Sequence, residues 1–151
     1  MSGILGKGLS YKEYLYDFDE DGGVKDVNIC LSDKNGCAPI PSGAVVVNVI
    51  AKVITAVTSD GAATVSWGTE SDEDGYSGTT IAKGSLTANS IWSPGVQGSE
   101  TLLWDDSNDH NINYYVADAD GGSFEVLIST ANLTAGKIVF GVFYWEPAVD
   151  Q

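Results

Sequence analysis

Residues 44–57 read Ala-Val-Val-Val-Asn-Val-Ile-Ala-Lys-Val-Ile-Thr-Ala-Val. In an extended chain Val45, Val47, Val49, Ala51 and Val53 share one face, while Val46, Asn48, Ile50, Lys52 and Ile54 share the other. The length and the β-branched content predict a central strand, with one face in a core and the other partly covered. Ser59-Asp60-Gly61 is a turn signal, and Ala63, Val65 and Trp67 alternate after it as the return strand of a hairpin.

Upstream, Pro39 and Pro41 punctuate the chain, and Val27, Ile29 and Leu31 alternate as another strand before the Asp33–Gly36 turn cluster. Tyr11, Tyr14, Tyr16 and Phe18 crowd a short aromatic strand, and residues 1–10 read as a glycine-rich, flexible arm. Downstream, residues 69–80 form a polar loop. Short strands are expected at 81–86, 90–92, 101–104 and 112–116. The two closing strands carry Phe124, Val126 and Ile128, then Ile138, Phe140, Val142 and Tyr144, on their apolar faces. Residues 129–135 are read as a connection with room for one helical turn. About nine strands and no core helix predict an all-β fold, a jelly-roll-like β-sandwich with an extended N-terminal arm. Residues 1–23 are assigned to the arm and its short strand, and 24–151 to the sandwich.

The chain has 151 residues, of which 43% are hydrophobic and 19% charged, a balance that suits one globular domain. Seven basic residues against 21 acidic ones give a net charge of -14. That cannot build the positive stripe that counterion release requires, so neither nucleic acid nor an anionic membrane is an expected partner. No run approaches the roughly 18 apolar residues of a membrane span. The opening Met-Ser-Gly-Ile-Leu-Gly-Lys-Gly-Leu-Ser has no basic region followed by an apolar core, so synthesis and retention in a cytoplasm are expected. Cys30 and Cys37 flank a turn that could bring them together, but a reducing compartment favours two free thiols.

The inventory for catalysis is thin. His110 is the single histidine and sits in a turn-like run of Asp, Ser and Asn. Walker loops, nucleophile elbows and zinc-binding Cys/His sets are absent from the sequence, so no enzyme and no cofactor is expected. Asp17-Phe18-Asp19-Glu20-Asp21-Gly22 matches the first half of a calcium loop, with Asp17, Asp19 and Asp21 as alternating oxygen donors. The twelfth position is Asn28 in place of the bidentate Glu, which favours an acidic turn over a metal site. Of the four tryptophans, Trp67 and Trp145 close apolar alternations, while Trp92 and Trp104 lie beside loops.

Three stretches carry a resemblance: Ile40-Pro41-Ser42-Gly43-Ala44-Val45-Val46-Val47-Asn48-Val49, Val57-Thr58-Ser59-Asp60-Gly61-Ala62-Ala63-Thr64-Val65-Ser66-Trp67-Gly68-Thr69, and Leu133-Thr134-Ala135-Gly136-Lys137-Ile138-Val139-Phe140-Gly141-Val142-Phe143-Tyr144. In composition and turn order, residues 40–145 resemble the head decoration, or cement, proteins of tailed bacteriophages. The resemblance implies a virion protein on the outer surface of an icosahedral capsid, a homotrimer that bridges neighbouring copies of the major capsid protein. The aromatic first 23 residues fall outside it. Ile4, Leu5, Leu9, Tyr11 and Tyr14 are the candidate capsid-binding residues, because an extended apolar segment can add to a partner's sheet edge. The competing readings are a head-fibre, tail or adhesin component that binds host glycans, and a carbohydrate-binding module.

Overall fold

The computed structural model of the chain describes residues 6–34, 38–70, 72–93, 115–116 and 123–147. Nine strands lie among them: β1 (Gly6–Asp17), β2 (Asn28–Cys30), β3 (Val45–Ser59), β4 (Thr64–Gly68), β5 (Ile81–Ala82), β6 (Ile91–Trp92), β7 (Tyr115–Val116), β8 (Glu125–Ser129) and β9 (Leu133–Pro147). The helical pieces described are one turn, α1 (Phe18–Asp21), and two 3-10 turns, Leu31–Asp33 and Lys83–Ser85. One antiparallel sheet runs β1-β9-β3-β6, with β7 also paired to β3, and a second runs β2-β8-β4-β5. The expected all-β sandwich is therefore the fold.

Its core forms where the inward faces of the two sheets meet. On β9, Ile138, Phe140, Val142 and Tyr144 are buried as their alternation predicted, and so are Phe124, Val126 and Ile128 on and beside β8. Phe124 is the hub. Its ring lies 4.9 Å from Tyr14, 4.9 Å from Phe140 and 5.4 Å from Tyr76, and Phe140 in turn meets Trp67 at 5.1 Å. Tyr76 belongs to the loop read as polar, yet it is fully buried. The loop can fold back over the core because Gly68 lacks a side chain: a Cβ there would lie 2.0 Å from the carbonyl oxygen of Asp72.

Three expectations change. First, β3 slips register against β9 between Val46 and Asn48. The irregularity exchanges faces at that point, so Val46, Val49, Ala51 and Val53 are buried while Val45 and Val47 are half-buried. Second, β3 and β4 are not a hairpin, because they lie in different sheets. All five residues of β4 pair with β8, and residues 59–63 carry the chain across the sandwich, where each strand buries its own apolar face against the other sheet. Third, residues 129–135 are not helical: Thr130 turns at φ 76 and β9 starts at Leu133. The two crossings are tied together, since the Asp60 N–H donates to the Asn132 carbonyl at 3.2 Å.

The N-terminal segment also differs from its reading. From Gly8 to Asp17, β1 pairs with β9 residue by residue, so residues 6–10 are strand and a boundary at residue 23 does not mark the edge of the sandwich. Tyr14 and Tyr16 point into the core. Their hydroxyls reach backbone acceptors, Tyr14 donating to Ala38 at 2.6 Å and Tyr16 to Gly22 at 2.7 Å. A phenol buried in this way keeps its polar end satisfied, and burial pushes the Tyr16 hydroxyl pKa well up.

Candidate functional site

At the end of β1 the acidic turn folds as a capped helical turn. Asp17 is the N-cap of α1, its Oδ1 accepting the Asp19 N–H at 3.1 Å. Lys137 Nζ lies 2.9 Å from Asp17 Oδ2, which lowers the Asp17 pKa and raises that of Lys137. Asp21 Oδ2 accepts from the Asp17 N–H at 2.8 Å and from Lys34 Nζ at 3.0 Å. Lysines and backbone donors thus hold two of the three carboxylates suggested for calcium. Asn28, the twelfth loop position, donates instead to Glu125 Oε2 at 3.0 Å. Among the described residues, no three His, Cys, Asp or Glu side chains group as metal ligands.

Glu125 was not singled out by its sequence context. It is 9% exposed on β8, and burial is the leading cause of its raised pKa, with Glu70, Asp33 and Glu73 adding repulsion against the Asn28 hydrogen bond. The folded state therefore favours the proton. The stability this group contributes is fully present below its ordinary value of 4.5 and is lost as pH rises through the folded value. Glu125→Gln removes that titration while keeping an acceptor for Asn28. The variant is expected to be more stable than the parent at about pH 7, with the difference shrinking as the pH falls through the raised folded value and levelling off once it is below 4.5. Urea unfolding at a series of pH values measures it, and a difference that grows on acidification would contradict the assignment.

Among the described residues, the outward face of the larger sheet offers a candidate surface. Pairing across the strands places Ile91, Lys52, Val139 and Leu15 in one row. Asn48, Phe143 and Tyr11 form a second row, and Val45, Trp145 and Leu9 a third. Residues in such rows point to the same face. Leu9 is 66% exposed, Tyr11 51% and Trp145 43%, so apolar side chains face outward at the β1 edge. The Tyr11 ring lies across Gly141, where a Cβ would come within 3.1 Å of it, and 5.0 Å from the Phe143 ring.

Of the candidate capsid-binding residues, the structure brings Leu9 and Tyr11 together on this face and puts Tyr14 on the other side, in the core. Ile4 and Leu5 lie outside the described residues, as do Cys37, Trp104 and His110. Leu15, Ile91 and Phe143 were missed as members of the face. Leu15 had a legible signal, since Leu9, Tyr11 and Leu15 occupy odd positions of a strand whose even positions Tyr14 and Tyr16 face inward. Cys30, which is half-buried, has its thiol pKa raised by burial.

Neither a protein-family model nor a curated protein matches the sequence. The fold does have counterparts among solved structures. A chain in the cyanophage Pam1 capsid asymmetric unit superposes with a TM-score of 0.60 at 12% identity, covering 97% of this chain and 90% of that one. A chain in the capsid of Ralstonia phage GP4 gives a TM-score of 0.56 at 16% identity, covering 98% and 90%. At such identities the likeness is one of fold, and it extends over nearly the whole of each chain.

Proposed function

We propose that this chain is a virion structural protein that decorates the outside of an icosahedral phage head and stabilises it by bridging neighbouring copies of the major capsid protein. The observation that carries this reading is the near full-length likeness of fold to chains found in two phage capsid structures. Two further features support it. The outward face of the β1-β9-β3-β6 sheet offers an apolar surface centred on Leu9, Tyr11, Phe143 and Trp145, and such a surface gains by docking on another protein. The net charge of -14 keeps the free protein soluble at the concentration that coating a shell demands. The function is architectural. Apolar contacts on the sheet face attach the domain, and a rigid sandwich spanning a junction between shell subunits resists their separation.

Quantitative mass spectrometry of purified virions, with heads and tails separated, tests the assignment. The protein is expected in the head fraction at a copy number comparable with that of the shell protein. Recovery with the tails, or absence from the particle, would overturn it.

A further inference from the structure

The strand β1 lies at the end of its sheet, and among the described residues no strand pairs with its other side. The direction of its backbone groups can be read from two contacts. The Leu15 carbonyl accepts from Lys34 Nζ at 2.8 Å, and the Asp17 N–H donates to Asp21 Oδ2 at 2.8 Å, both away from β9. In an antiparallel strand the N–H and C=O of alternate residues share a side. Leu9, Tyr11 and Glu13 therefore turn their backbone donors and acceptors to the open edge, while Ser10, Lys12 and Tyr14 direct theirs to β9. The lower end of the edge is closed by Lys34 and Asp21, and its upper end breaks at the irregularity between Gly6 and Gly8. Among the described residues, what remains open is one short template, residues 9–13.

We infer that this edge pairs with the same edge of a second copy, β1 running antiparallel to β1 about a two-fold axis centred on Tyr11. The register follows from the residues. With Tyr11 opposite Tyr11 of the partner, and Leu9 opposite the partner's Glu13, each open N–H meets an open C=O and none is left over. Lys12 then faces the partner's Ser10, and no like charges stand directly opposite. Centring the axis on Ser10 would draw on residue 7, where the strand is irregular. Centring it on Lys12 would set two lysines face to face and would need the Leu15 carbonyl that Lys34 already holds. A slip of one residue turns the two apolar faces to opposite sides.

An open edge with neither proline nor a bulge between residues 9 and 13 allows such pairing. The charge of -14 on each copy opposes it, and salt screens that repulsion over about 8 Å at physiological ionic strength. The pair is thus expected to tighten as ionic strength rises. Pairing of identical edges is two-fold by geometry, so it gives dimers and not the homotrimer that the phage resemblance implies. It also joins the two outward faces into one continuous apolar surface. The inference stands independently of the capsid reading.

Light scattering on the full chain gives the direct test. The mass is expected to be twice that of the 15.8 kDa chain, with the dimeric fraction increasing with salt. A mass of one chain, or of three, would overturn the proposal. Tyr11→Pro removes an N–H that points away from β9, so the ladder to β9 survives and a folded single chain is expected. A folded Tyr11→Pro protein that stays dimeric would contradict the edge.

The register has its own readout, which holds even if the proline variant misfolds. In a background with Cys30→Ser and Cys37→Ser, Ser10→Cys and Lys12→Cys are placed on separate chains. Opposed residues of a non-hydrogen-bonded pair lie about 4.5 Å apart at Cα, within disulfide reach. Mixing and oxidising the two chains is expected to give a crosslinked pair containing one of each, with neither chain crosslinking alone. Failure of the mixed crosslink, or equal crosslinking of either variant by itself, would overturn the register and the proposal with it.

Discussion

Phe124→Ala is expected to be the most damaging single substitution among the described core residues, at about 3–5 kcal/mol. The ring is fully buried and serves three partners, Tyr14 from β1, Phe140 from β9 and Tyr76 from the 69–80 loop. Removing it opens a cavity where both sheets and the covering loop meet. Aromatic pairs add about 0.5–1.5 kcal/mol each beyond their buried area, so the loss lies at the upper end of the range. A domain of this size has a total stability of about 5–15 kcal/mol. The variant should therefore unfold at a much lower urea concentration, with the slope of the transition unchanged. A loss under about 1 kcal/mol would mean that the aromatic hub does not organise the core.

Deleting residues 1–17 is expected to abolish cooperative folding, whereas deleting residues 1–5 leaves it intact. The larger truncation strips β1 from β9 and uncovers the core where Tyr14 and Tyr16 sit. Two buried aromatic side chains contribute roughly 1.5–3 kcal/mol each. Ladder hydrogen bonds add about 1 kcal/mol apiece, and together the losses approach the whole stability of the fold. Heat or urea unfolding monitored by near-ultraviolet circular dichroism separates the cases. A chain of residues 18–151 that unfolds as sharply as the parent would restore the separate N-terminal unit that the sequence suggested. The shorter truncation removes Ile4 and Leu5 with the strand kept, so it also reads their proposed share in attachment: heads should carry fewer copies of it than of the full chain.

Much of the sandwich was legible because its inner faces follow a simple period. Phe124, Val126 and Ile128, and Ile138 through Tyr144 at alternate positions, announce one buried face each, and both are buried. The errors arise where that period is interrupted or where pairing is decided by distant residues. At Val47 a register irregularity moves the inward set on β3 by one residue, and alternation alone carries no sign of it. Ser59-Asp60-Gly61 is a turn in sequence and in structure, but whether it closes a hairpin or crosses between sheets depends on β8 capturing β4 from far along the chain. The N-terminal segment departs from its sequence reading for a related reason. Glycines at positions 6 and 8 suggest flexibility, while the long edge of β9 that orders them lies more than a hundred residues away.

The candidate surface was legible only in part. Leu9 and Tyr11 lie on it, but the strand sends Tyr14, a candidate alongside them, to the opposite face. Phe143 and Trp145 come to the same surface through register with β1, which no local pattern announces. The acidic turn went the other way. Its spacing suits calcium, and the missing twelfth ligand was readable, but the lysines that hold Asp17 and Asp21 come from residues 137 and 34.

The central claim is that this protein sits on the outside of a phage head. Cryo-electron microscopy of heads from the parent phage, compared with heads from a phage lacking this gene, addresses it most directly. The account predicts density outside the shell in the parent map, fitted by the two-sheet sandwich and bridging neighbouring shell subunits, and its loss from the mutant map. Identical head maps, or a difference confined to the tail or the interior of the shell, would contradict it.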